Sequence, residues 1–203
     1  MKKVLLAALL LIGGFLYAQE NEEIGFKKGD FFISGNVEFL TAEESNNDLN
    51  TSSFTILPSI GYLVSNHFAL GIQLGYNNTS NDVATNLGTV DISSNTFIAG
   101  AFARYYFNPT RKFSFTITGA VRYSNTNSEQ IDFLNANTTQ DLNINSFGIS
   151  IAPGIQYFLS RAFAITSSVG LISYGNQSGD IDSSSFIVRL NPSNINFGLL
   201  YRF

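Results

Sequence analysis

Residues Phe68 to Tyr76, FALGIQLGY, place Phe68, Leu70, Ile72, Leu74 and Tyr76 on one side of an extended chain and Ala69, Gly71, Gln73 and Gly75 on the other. Successive side chains of a strand point to opposite faces, so this period-two pattern specifies a β-strand with one apolar face. The pattern runs to the last residue, where Ile195, Phe197, Leu199, Tyr201 and Phe203 alternate with Asn196, Gly198, Leu200 and Arg202. Eight such segments can be read: about Asp30–Leu40, Ser53–Val64, Phe68–Tyr76, a segment ending GAFARYYF, Phe113–Tyr123, Ser146–Leu159, Phe163–Tyr174 and the C-terminal strand. Helical periodicity is absent after the first residues.

The faces opposite the apolar ones carry Gly, Ala, Ser, Thr and Asn rather than charge, and charged residues make up only 13% of the chain. A soluble β-sandwich would turn a charged face to water, so small polar residues fit a narrow barrel interior better. Connections alternate in length. Short ones fall at Ser65–His67, Asn108–Lys112 and Ser160–Ala162; long polar ones fall at about Thr41–Ser52, Asn77–Asn95, Ser124–Asn145 and Gly175–Ser185. An even strand count with short turns on one side and long loops on the other predicts an all-β, eight-stranded, antiparallel up-and-down transmembrane β-barrel. Tyr62, Tyr105, Tyr123, Tyr157 and Tyr201, at strand ends, are expected at the membrane interfaces.

The N-terminus agrees with export. Lys2 and Lys3 precede an apolar run from Val4 to Phe15, and Ala18 precedes the polar run Gln19–Glu23. This reads as a signal peptide over residues 1–18, followed by a short periplasmic segment at 19–29 and the barrel at 30–203. Cutting away Lys2 and Lys3 lowers the 11 basic residues to nine against 15 acidic ones, a net charge of −6. That balance disfavours nucleic acid as a partner. Zero cysteines remove disulfides, thiol nucleophiles and Cys-based metal sites.

By strand parity, Glu38, Gln73, Arg104, Arg122, Gln156 and Arg202 point into the lumen. Buried charge is costly unless paired, so these are expected to form a packed polar network in which Glu38 partners one or more arginines. Eight strands leave an interior that side chains can fill, which makes the lumen largely plugged. PSIGYLVSNHFAL from Pro58 and PGIQYFLSRAFAI from Pro153 repeat one pattern, P-x-I-x-Y-x-x-S-x-x-F-A. A proline inside a closed sheet removes a ladder hydrogen bond, so a bulge is expected at both. Apolar positions are even at Phe186, Val188 and Leu190 but odd from Ile195, so strand eight either bulges at Pro192 or begins after it. The single histidine, His67, lies in a short turn with no acid within several residues and reads as a turn residue, not a catalytic one. Asp180 and Asp182 lack the remaining signature of a calcium loop and read as solvated loop. No metal or cofactor is expected.

The P-x-I-G-Y-x-x-S hairpin at Pro58, RYYF at Arg104–Phe107, the YAQE after the apolar leader and the terminal NFGLLYRF resemble the small outer-membrane β-barrel (porin-like) family common in Bacteroidota. That family is related in architecture to the OmpA-type transmembrane barrel. The resemblance covers the whole chain after the signal peptide. It implies residence in the outer membrane of a Gram-negative cell, contact with outer-membrane lipid and lipopolysaccharide, and insertion by the barrel assembly machinery. It also implies that Tyr201 and Phe203 form the assembly signal. It carries no catalytic residues. The expected function is structural or recognition work at the cell surface through four extracellular loops, with an extracellular ligand left unidentified. The alternatives are a narrow porin and, further off, a lipid-modifying barrel enzyme.

Overall fold

The computed structural model describes residues 24–44, 49–85, 88–131, 139–180, 182–189 and 195–203. The signal peptide and the Pro192 phase change therefore lie outside the described residues. Ten strands are present: β1 (Phe31–Glu44), β2 (Leu49–Leu63), β3 (Phe68–Thr85), β4 (Gly88–Tyr106), β5 (Phe113–Ile131), β6 (Thr139–Phe158), β7 (Phe163–Val169), β8 (Leu171–Gly179), β9 (Ser183–Arg189) and β10 (Ile195–Arg202). β7 and β8 continue one another along β6, and β9 and β10 lie along them in turn. The ten strands are thus eight staves. Every neighbouring pair is antiparallel, β5 pairs with β6, and β10 pairs with β1, which closes an up-and-down barrel.

The period-two pattern has the expected consequence. Odd or even apolar residues of each strand face outward and are exposed, from Phe68, Leu70, Ile72 and Leu74 of β3 to Phe197 and Leu199 of β10. An outer surface of this kind is stable only against hydrocarbon. On β6 the apolar band runs from Phe147 to Tyr157, about 33 Å of strand, which a tilt of about 40° reduces to about 25 Å of membrane thickness.

The long polar connections expected between strands are mostly strand. β3 and β4 stay paired from Phe68↔Tyr105 up to Thr85↔Gly88, and β5 and β6 from Phe113↔Tyr157 up to Ile131↔Thr139. With 20 residues, β6 reaches about 66 Å, far more than a bilayer crossing needs. The physical reason is that Asn, Ser and Thr pair across strands as readily as they solvate a loop. Tyr76 Oη donates to Asn95 Oδ1 at 2.7 Å and Tyr123 Oη to Asn145 Oδ1 at 2.6 Å. Above them, Asn143 Nδ2 donates to Asn127 Oδ1 at 2.6 Å, and Ser94 pairs with Ser128 through their hydroxyls at 2.8 Å. The tyrosines therefore mark the outer water boundary, and asparagine ladders continue the sheet beyond it.

The bulge expected at Pro58 does not form, and at Pro153 no residue is added to the proline's own strand. Register runs unbroken through Gly35↔Pro58 and through Ile117↔Pro153. Both prolines face outward in line with their apolar neighbours, so each interrupts a ladder without inserting a residue. A bulge does occur, but opposite Pro153. Between Ile151↔Ile172 and Gly154↔Ser168, β6 advances three residues while the facing stave advances four. The extra residue is Gly170, whose φ of 80° lies in the left-handed region. Outward parity switches there from Ile165 to Ile172 and Tyr174, in step with the switch from Val188 to Phe197 on the next stave.

Replacing Gly170 with Val is expected to cost about 1–2 kcal/mol, since a β-branched residue is strained at positive φ. Urea unfolding of the refolded protein reads this directly. Unheated protein should also migrate differently from boiled protein on a detergent gel, because the closed ladder resists detergent until heated.

Candidate functional site in the barrel lumen

The lumen is built in layers, starting from the periplasmic end. Residue doublets there break the alternation: Phe31-Phe32, Tyr105-Tyr106, Tyr157-Phe158 and Leu199-Leu200. The first member faces lipid and the second faces inward; Phe31 is 53% exposed and Phe32 0%. The inward members join Leu63, Ala69, Phe102 and Ala164 in an apolar floor. Its centre is Phe26, from the segment preceding β1, which is 1% exposed. Its ring lies 5.4 Å from Phe32, 5.1 Å from Tyr106 and 5.2 Å from Phe158, the last two edge-on. Such tilted and edge-on contacts are the favoured aromatic geometries.

Several polar ties hold Phe26 in place. Its N–H donates to the Pro109 carbonyl at 2.6 Å, and Gly29 N–H donates to the Leu63 carbonyl at 2.9 Å. Arg202, on the closing strand, donates to the Gly25 carbonyl and stands 3.5 Å from Asp30 Oδ2. Asp30 Oδ2 also accepts from Lys27 N–H at 3.0 Å. Gly25 has φ 125°, and a Cβ there would meet the Pro109 carbonyl oxygen at 2.5 Å, so only glycine fits. Of residues 24–29, expected as a periplasmic segment, Gly25 and Phe26 are buried in the barrel mouth as a short internal plug, while Lys27, Lys28 and Gly29 are exposed.

Above the floor lies a polar cavity of about 100 Å³, lined by Ser34, Ser59, Gln73, Arg104, Thr116, Thr118, Arg122, Gln156 and their neighbours. Four of the six expected lumenal residues, Gln73, Arg104, Arg122 and Gln156, therefore share one chamber. Arg104 Nε donates to Thr118 Oγ1 at 2.9 Å, with its guanidinium 5.4 Å from the Phe102 ring centre. Arg122 donates to Ser150 Oγ at 3.3 Å, and the Ser34 and Ser59 hydroxyls meet at 2.6 Å. Arg202 lies in the floor instead. Among the described residues Glu38 does not partner an arginine: it lies on the lumenal side of β1 opposite Thr55, but higher up, and is exposed. Among the described residues the one ion pair is Asp30–Arg202. Asp30 was legible, since it shares the even parity of Phe32 and Ser34. Phe26 was not, because nothing in a short polar segment signals that it folds back into the barrel.

The remaining candidates are structural. His67 Nδ1 lies 2.8 Å from the Tyr106 carbonyl, its own carbonyl accepts from Tyr106 N–H at 2.7 Å, and its ring stacks on Tyr105. Asp180 Oδ2 accepts from Asn143 N–H at 2.7 Å, which ties the β8–β9 turn to β6.

A family model described as the outer membrane protein beta-barrel domain matches residues 6–203. The chain belongs to the outer-membrane β-barrel family. Its place is accordingly the outer membrane. Among solved structures, this outer-membrane barrel is similar to the outer membrane protein OprG from Pseudomonas aeruginosa, with a TM-score of 0.56 at 14% identity, covering 90% of this chain and 99% of that one. Ail, the attachment invasion locus protein of Yersinia pestis, gives 0.49 at 14% identity, covering 87% and 99%. The likeness to OprG is one of fold alone. No curated protein matches the chain by sequence.

Phe26→Ala in this outer-membrane barrel should cost about 3–5 kcal/mol, as a buried aromatic removed from a packed layer. Arg202→Ala should cost a similar amount by leaving Asp30 buried without its partner. Both losses are measurable as lower urea midpoints, with Phe203→Ala, at an exposed side chain, as the mild comparison.

Proposed function

We propose that this barrel works at the cell surface as a structural or recognition protein, with its outward face formed by the extracellular hairpins and no through-passage for solutes. The observation that carries this reading is the packed floor, in which Phe26 lies among Phe32, Tyr106 and Phe158 beside the Asp30–Arg202 pair on the closing strand. Above the membrane, the paired β3–β4 and β5–β6 ladders present Asn, Ser and Thr on a stiff support, and rigid scaffolds bearing polar tips suit recognition. Lipopolysaccharide around the wall and an extracellular ligand at the tips are the partners this arrangement suits. We assign no enzymatic role: His67 is engaged with a backbone carbonyl in a periplasmic turn.

A narrow porin is the second reading, favoured by the polar cavity above the floor. Planar-bilayer recordings decide between them. The wild-type protein should give no large, steady openings, and a Phe26→Gly variant should give more current than the wild type. Replacing Thr79–Ser94 with a two-residue turn should leave a folded barrel and abolish whatever adhesion to defined surfaces the intact protein confers on cells.

The Gram-negative, Bacteroidota-type origin and the use of the terminal aromatic residues by the assembly machinery belong to the same proposal. Phe203 contributes one hydrogen bond from its N–H to the Phe31 carbonyl at 3.0 Å and an edge contact with Tyr201. Its deletion should lower insertion in cells severalfold while the refolded barrel loses only about 1 kcal/mol.

A further inference from the structure

We propose that the lumenal cavity is a binding site for a small oxyanion of the phosphate or carboxylate type, entered from the extracellular side. Two guanidinium groups, Arg104 and Arg122, line one chamber, and among the described residues no carboxylate lies within ion-pairing distance of either. The nearest candidates are committed or remote: Asp30 is held by Arg202 below the chamber, and Glu38 is exposed. Two like charges taken out of bulk water cost several kcal/mol unless an opposite charge joins them. Water alone can satisfy polar groups but leaves both charges uncompensated.

The hydrogen-bonding inventory points the same way. Gln73 and Gln156 are 6% and 1% exposed, yet their side-chain nitrogens have no partner, and neither does Arg122 Nε. Buried donors are normally satisfied, and a group of orphans around one cavity indicates a missing acceptor. Gln156 Oε1 is also unpartnered, which suits an anion that retains a hydroxyl, such as hydrogen phosphate. The chamber's volume of about 100 Å³ is far above the minimum of about 15 Å³ needed for one water and gives room for an ion the size of phosphate. Arginine forks are the side chains best matched to such oxygens. The apolar floor centred on Phe26 lies between the chamber and the short-turn end of the barrel, which leaves the opposite, extracellular end as the route of entry.

The test uses the refolded protein in detergent, titrated calorimetrically with inorganic phosphate, sulfate, acetate and chloride at matched ionic strength. The expected result is saturable binding of at least one oxyanion, tighter than chloride. Its Kd should rise at least about tenfold in Arg104→Met and in Arg122→Met, each of which removes a charge-assisted contact. Glu38→Gln should bind as well as the wild type. Should the methionine variants fail to fold, phenylglyoxal modification of the wild-type protein replaces them. The bound oxyanion should then slow labelling of Arg104 and Arg122 severalfold and leave Arg202 unchanged. Absence of saturable oxyanion binding, equal response to chloride, binding that survives in both variants, or binding that appears only in Glu38→Gln would each overturn the proposal. The last outcome would make Glu38 the internal counter-ion.

Discussion

In hydrocarbon there is no water to accept a stray backbone hydrogen bond, so a membrane-spanning sheet must close on itself. Here the closure is brief: β1 and β10 pair only over Phe32↔Arg202 to Asn36↔Gly198. Beyond Asn36, β1 and β9 do not meet among the described residues. The short seam is reinforced where it begins. Arg202 donates to the plug's backbone and faces Asp30, so the residue that completes the cylinder also fixes what fills its mouth. The first and last parts of the chain thus depend on each other, and neither arrangement would persist without the seam between them.

The interior divides by chemistry. Aromatic doublets concentrate apolar volume at the periplasmic end, where a narrow cylinder needs filling and no polar ladder is available to do it. Further up, short hydroxyl and amide side chains leave a chamber with two cations and two orphaned amides. A floor of packed rings and a chamber with no acid among its described lining residues make different demands. The floor is satisfied by packing, while the chamber asks for something from outside.

Most of the wall was legible because its signal is local: one residue in, one residue out, with tyrosines where water begins. Four features were not legible, each for a physical reason. The polar hairpins looked like loops because asparagine and serine serve both turns and ladders, and only a partner strand distinguishes the uses. The bulge at Gly170 was hidden because a proline announces a lost hydrogen bond, while the register shift it accompanies falls on the neighbouring stave. The expected Glu38–arginine pairing failed because parity gives the side of the sheet and not the height along the barrel. Parity did collect Gln73, Arg104, Arg122 and Gln156 in one place, but Asp30 was passed over, because its significance depended on a fold-back that no pattern marked.

Because the long hairpins are paired strand over their described residues, they behave as rulers. Adding two residues to each arm of β3–β4 would lift the tip by about 7 Å of strand and leave every side chain on its present face. Adding one would turn the outward asparagine row inward. Insertions that come in facing pairs of two residues therefore change how far the hairpin reaches beyond the membrane without changing which residues it shows.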